Sequence, residues 1–104
     1  MATSKEFLDF VLEQFTADDG VTARAMMGEY GLYRQGILFG GLYDGRVLVK
    51  ITEGNKKFGL PTAIPYDGAK PMYQIIDVEN AELMREVAAV TSADMKLKQK
   101  KPNK

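Results

Sequence analysis

The chain has 104 residues, balances 14 basic against 14 acidic side chains for a formal charge of zero, and contains no histidine, cysteine or tryptophan. That length fits one domain, which buries about 60 to 65% of the surface its unfolded chain exposes. The missing residue types remove the usual base at neutral pH, the usual thiol nucleophile, the commonest metal ligands and any disulfide framework.

In chain order, the first element is a helix. Thr3 and Glu6 have capping-box spacing, and Phe7, Leu8, Val11, Leu12 and Phe15 recur every three or four residues until Asp18-Asp19-Gly20 ends the pattern. From Val21 the period becomes two, and glycines divide the chain into strands near Val21 to Met27, Tyr30 to Arg34, Ile37 to Leu42 and Arg46 to Ile51. Asp44-Gly45 is a favoured two-residue hairpin turn, and Gln35-Gly36 is a less typical one. With Asp44-Gly45 as the corner, Leu42 faces Val47, Gly40 faces Val49 and Leu38 faces Ile51 on one side, the expected core face. The same register sets Phe39 opposite Lys50 and Gly41 opposite Leu48 on the other side, with Leu32 beside Phe39. A solvated antiparallel face is not usually so apolar, so this second face is expected to be covered by a helix or by another molecule.

Between Thr52 and Pro71 three glycines (Gly54, Gly59, Gly68) and three prolines (Pro61, Pro65, Pro71) interrupt every period, leaving room for at most a short helix near Lys56 to Leu60. Met72 to Val78 reads as a fifth strand. Leu83, Val87 and Val90 then mark a closing amphipathic helix capped near Asn80. The expected fold is α+β and two-layered: an antiparallel sheet of about five strands with N- and C-terminal helices, in the order α-β-β-β-β-(short α)-β-α. Residues 1–95 form the domain, and 96–104 a lysine-rich tail with five lysines and no acid, which leaves 9 basic and 14 acidic residues in the body. A body of that sign does not attract phosphate through its long-range field. The N-terminal residues lack the apolar run of a secretion signal, no stretch is long enough for a membrane span, and a cytoplasmic location is expected.

Catalytic patterns are missing. Ser4 and Ser92 fall at helix ends, where hydroxyls cap, and the acids are dispersed rather than spaced as a calcium loop. Gly28-Glu29-Tyr30-Gly31 has the letters of a nucleic-acid-clamping loop, but it lies between strands and its acid would repel phosphate. No catalytic, metal-binding or cofactor-binding residue is assigned.

Arg24-Ala25-Met26-Met27-Gly28, the stretch through Tyr30 and Tyr33, Phe39-Gly40, Asp44-Gly45 and Leu48-Val49-Lys50 together resemble the N-terminal domain of the TfoX family, bacterial proteins linked to regulation of natural competence. The likeness is strongest from Val21 to Ile51 and continues through Phe58 and Met72-Tyr73. It implies a compact α+β domain, a regulatory and non-enzymatic role, and no cofactor. The chain departs from the family pattern at Ile75-Ile76, where a proline is often found, and at Glu86, often a tryptophan. It reads as a stand-alone version without the separate C-terminal domain of the full-length regulators.

The candidate interaction residues are therefore Arg24, Gly28, Leu32, Phe39, Leu48 and Lys50. Two readings follow. In the first, a regulatory module forms a homodimer, or meets a protein partner, through Leu32, Phe39 and Leu48. In the second, Arg24, Lys50 and the 54–71 loop hold a small anion or nucleic acid.

Overall fold

The computed structural model describes residues 3–100. Helix α1 (Lys5–Leu12) is followed by strands β1 (Val21–Met26), β2 (Glu29–Arg34), β3 (Ile37–Tyr43), β4 (Arg46–Val49), β5 (Thr62–Ala63) and β6 (Met72–Ile75), and by helix α2 (Ala81–Lys100). All strand pairs are antiparallel, in the order β1-β2-β3-β4-β6-β5. The α+β class holds, and the sheet has six strands rather than about five because the brief β5 joins β6 at the edge.

Local chemistry sets the helix ends. Ser4, not Thr3, caps α1 by accepting the Phe7 amide at 3.1 Å. Thr3 is drawn to Glu29 Oε1, to which its amide donates at 3.0 Å and its hydroxyl at 2.7 Å. Asn80 caps α2 as its sequence position suggests, accepting the Leu83 amide at 3.0 Å. The expected short helix is a 3₁₀ turn over Gly54–Phe58. Instead of fraying after Met95, α2 runs on through Lys96 and Lys98 to Lys100; the rest of the lysine-rich tail, 101–104, lies outside the described residues.

Three hairpin corners share one solution. Met27-Gly28, Gln35-Gly36 and Asp44-Gly45 all have positive φ at both positions, at 50° and 85°, 51° and 84°, and 54° and 71°. Such turns match the right-handed strand twist, so they fix the register that the glycine punctuation announces.

Both helices pack on one face of the sheet. Leu8 and Val11 of α1 and Met84 and Val87 of α2 meet Leu42, Val47 and Val49, all at most 8% exposed. The pairs Leu42/Val47, Gly40/Val49 and Gly41/Leu48 fall where the Asp44-Gly45 corner puts them. One step further along β3 the pattern changes. Leu32 pairs with Gly40 but the next residue, Tyr33, pairs with Leu38, so Phe39 is the extra residue of a β-bulge.

That single extra residue reverses two side chains. Phe39, 2% exposed, turns into the core beside Leu32, at 0%, while Leu38 turns outward. Glycine at 40 is what permits this. A Cβ there would lie 2.2 Å from the Leu48 carbonyl oxygen and 2.9 Å from the Val49 Cα, both backbone atoms of β4. Burying a side chain the size of Phe39 or Leu32 contributes about 1.5 to 3 kcal/mol each.

The expected second face is therefore corrected. Leu32 and Phe39 are core residues and offer no surface to a second copy. Of the expected trio only Leu48 lies on the outer face, and it too is fully buried. Within the chain itself Leu48 has no exposed surface left to offer, and the Tyr43 ring lies over its pair partner Gly41.

A basic groove on the outer face of the sheet

Residues on the outer face are fixed by their pairing: Tyr33 and Leu38, Gly41 and Leu48, Tyr43 and Arg46. Arg46 pins the crossover onto this face. Its Nε donates to the Tyr43 carbonyl at 3.1 Å, and its Nη2 donates to the carbonyls of Ile64 at 3.1 Å and Pro65 at 3.2 Å. One guanidinium fork thus ties a hairpin strand to a loop 18 and 19 residues away in sequence. Pro65 is buried beneath the loop, and the chain then reverses where the Ala69 amide donates to the Tyr66 carbonyl at 3.0 Å.

Between sheet and crossover runs an open groove of about 660 Å³. Leu38, Ile51, Pro71, Met72 and Met95 give it apolar walls; Tyr43, Tyr66, Lys50, Lys70 and Lys98 bring rings and charge. No acid lines it. None of the three lysines is in an ion pair with a described residue. The two adjoining depressions differ in this respect: one of about 400 Å³ includes Glu53 and Asp94, and one of about 440 Å³ includes Glu29. On a body with excess acid, this groove, unlike the two beside it, has cations and no acid in its lining.

A buried polar knot holds the Lys50 end rigid. Asn55, 0% exposed, accepts the Thr52 amide at 2.9 Å and donates from Nδ2 to the Lys50 carbonyl at 2.7 Å and to Thr91 Oγ1 at 2.8 Å. Asp94 accepts the Gly54 amide at 2.8 Å alongside it. The 3₁₀ turn and α2 are locked together, and Lys98 is carried past the sheet to the groove. At the ring end, burial pushes the Tyr43 phenol above its ordinary value, with Tyr66 and Glu29 adding to the effect. Tyr43 and Tyr66 stand with centroids 6.2 Å apart and planes tilted by 51°.

Of the residues singled out from the sequence, only Lys50 reaches the groove. Arg24 is exposed on β1, lies over the Tyr33 ring of the adjacent β2 at 5.2 Å, and does not line the groove. Gly28 is the second corner residue of the β1–β2 turn. The Lys50 amide donates to the Phe39 carbonyl at 2.9 Å, but the two side chains part, because the bulge sends the Phe39 ring into the core while Lys50 lines the groove. The 54–71 segment also divides: 54–58 packs on α2, and only 65–71 borders the groove. Sequence reasoning did not name Tyr43 or Lys98 for this site, and it reached Tyr66 and Lys70 only as unnamed members of the 54–71 loop. The bracketing of Tyr66, Gly68 and Lys70 by Pro65 and Pro71 was the available signal for part of that set.

Comparison with known sequences gives two matches. The profile of the TfoX N-terminal domain matches residues 13–73, more than half of the chain. An uncharacterised 12.7 kDa protein in the trpE 5′ region of Spirochaeta aurantia is 36% identical over 96 residues, covering 89% of this chain and 84% of the relative. The matched span begins just after α1 and ends within β6, so it includes β1 to β5 and the first half of β6.

Proposed function

The chain belongs to the TfoX N-terminal domain family, and within it we propose a non-catalytic regulatory domain that responds to a small anion held in the groove between the sheet and the 64–71 crossover. The carrying observation is the lining: Lys50, Lys70 and Lys98 face a space of ligand size with no acid among them. Small-molecule sites commonly occupy about 300 to 1,000 Å³ and combine apolar walls with a few placed polar groups, and this groove has both features. The hydroxyls nearest a nucleophile's role are engaged elsewhere, Ser4 in the α1 cap and Ser92 in donation to the Ala89 carbonyl at 3.2 Å. With no histidine or cysteine in the chain, binding rather than bond-making is what the side chains support.

Titration with inorganic pyrophosphate, followed by backbone amide shifts, tests the reading. Binding is expected at low salt, with shifts at Lys50, Lys70 and Lys98, and it should fall steeply as salt rises. Lys50→Ala should weaken it roughly fivefold, the upper worth of one solvent-exposed ion pair. Absence of any shift with pyrophosphate or phosphate at low salt sinks the proposal.

A further inference from the structure

We propose that the anion is a nucleoside phosphate, with its base against Tyr66 and its phosphates toward Lys50 and Lys98; this rests on the anion-binding reading above.

Shared borders give the groove a direction. Tyr43, Pro65 and Tyr66 also line the neighbouring depression that contains Met26, whereas Ile51 and Lys98 also line the one beside Asp94. Aromatic surface therefore lies at one end and Lys98 at the other, with Leu38, Lys50 and Met72 among the residues lining the space they share. A ligand that fills it has a flat apolar end and a charged end.

Charge counting selects the charged end. Three lysines and no acid line the groove, more positive charge than one carboxylate neutralises and enough for a phosphomonoester or a diphosphate. Ring geometry selects the other end. Tyr66 is 64% exposed although the domain has an ordered core, so its face is free to stack. Tyr43 is tilted by 51° to it and cannot form a parallel sandwich, which leaves one stacked face and an edge contact. Stacking of this kind tolerates different bases, since every base has a π-face.

The test uses the full chain with adenosine diphosphate, pyrophosphate, adenosine and a short single-stranded oligonucleotide without terminal phosphate. Calorimetry supplies affinities and amide shifts supply the location. Adenosine diphosphate is expected to bind about tenfold more tightly than pyrophosphate, the contribution of one stacked base. Tyr66→Ala should remove that margin and leave pyrophosphate binding unchanged, whereas Lys50→Gln should weaken both. Equal affinities for adenosine diphosphate and pyrophosphate, unaffected by Tyr66→Ala, overturn the nucleoside inference and leave the anion reading standing. Tighter binding of the oligonucleotide, or adenosine diphosphate shifts confined to another surface, also overturns it. Silence from every anion removes both readings together.

Discussion

Replacing Gly40 by alanine tests whether the β3 bulge organises the domain. The new Cβ would sit 2.2 Å from the Leu48 carbonyl oxygen, against a comfortable C···O approach of about 3.3 Å, so about 1 Å of movement is needed. Both close contacts are backbone, so no rotamer change relieves them. Two responses remain. If β4 is pushed aside, the overpacking costs about 1 to 3 kcal/mol or more, since β4 is hydrogen-bonded to β6 on its other side. If the bulge slips instead, Phe39 leaves the core, a loss comparable to a Phe→Ala truncation at about 3 to 5 kcal/mol. The restricted unfolded chain returns about 0.4 to 1 kcal/mol, so a net loss of about 2 to 4 kcal/mol is expected. Urea denaturation followed by circular dichroism should show the midpoint falling by about 1 to 4 M for a slope near 1 to 1.5 kcal/mol/M. Gly36→Ala is the control: nothing lies within 4 Å of its added Cβ, and only its φ of 84° opposes the change, for about 1 kcal/mol. A slip also predicts non-additivity, Phe39→Ala being less damaging in the Gly40→Ala background than alone. A Gly40→Ala loss below that of Gly36→Ala refutes the reasoning.

Three further outcomes are expected. Asn55→Ala strips the partners of the Thr52 amide, the Lys50 carbonyl and Thr91 Oγ1 at a fully buried site, and thermal unfolding should show a loss of about 3 kcal/mol; a loss under 1 kcal/mol means the knot is not structural. Burial would raise the Asp19 carboxyl, but hydrogen bonds from Arg85 and from the Thr16 amide and hydroxyl outweigh it and hold it below its ordinary 3.8. Its contribution is thus complete above pH 3.8 and is lost as pH falls through the lower folded value, so Asp19→Asn should flatten the acid limb of the stability curve there; an unchanged limb contradicts this. Met27→Asn should stabilise by about 0.5 to 1 kcal/mol in chemical denaturation, because asparagine accepts the φ of 50° that a fully exposed methionine holds at a cost. Destabilisation would mean that the Met27 side chain makes contacts that its full exposure does not suggest.

Much of the scaffold was legible because its signals are local. The capping asparagine at 80, the periodicity of both helices and the Gln35-Gly36 and Asp44-Gly45 corners each depend on residues within a few positions of one another. Register follows from the corners, which is why Gly40/Val49 and Gly41/Leu48 pair as read. Strict alternation then failed at Phe39, because a bulge is encoded by a glycine whose necessity shows only when β4 lies against it. The groove was hidden for a similar reason. Lys50, Lys70 and Lys98 sit some 20 and more positions apart, and they converge only once Arg46 pins the crossover and Asn55 ties the 3₁₀ turn to α2.

By itself, then, the order of residues determined that this chain is an α+β domain of glycine-cornered hairpins between two amphipathic helices, with no histidine and no cysteine. Hydrophobic period and turn stereochemistry act over a few bonds, so they survive in one dimension. Which face of the sheet is core at Phe39, and which cations share a cavity, was decided by contacts between distant segments. Those contacts depend on backbone close approach and on single polar side chains such as Arg46 and Asn55, whose partners no linear pattern names.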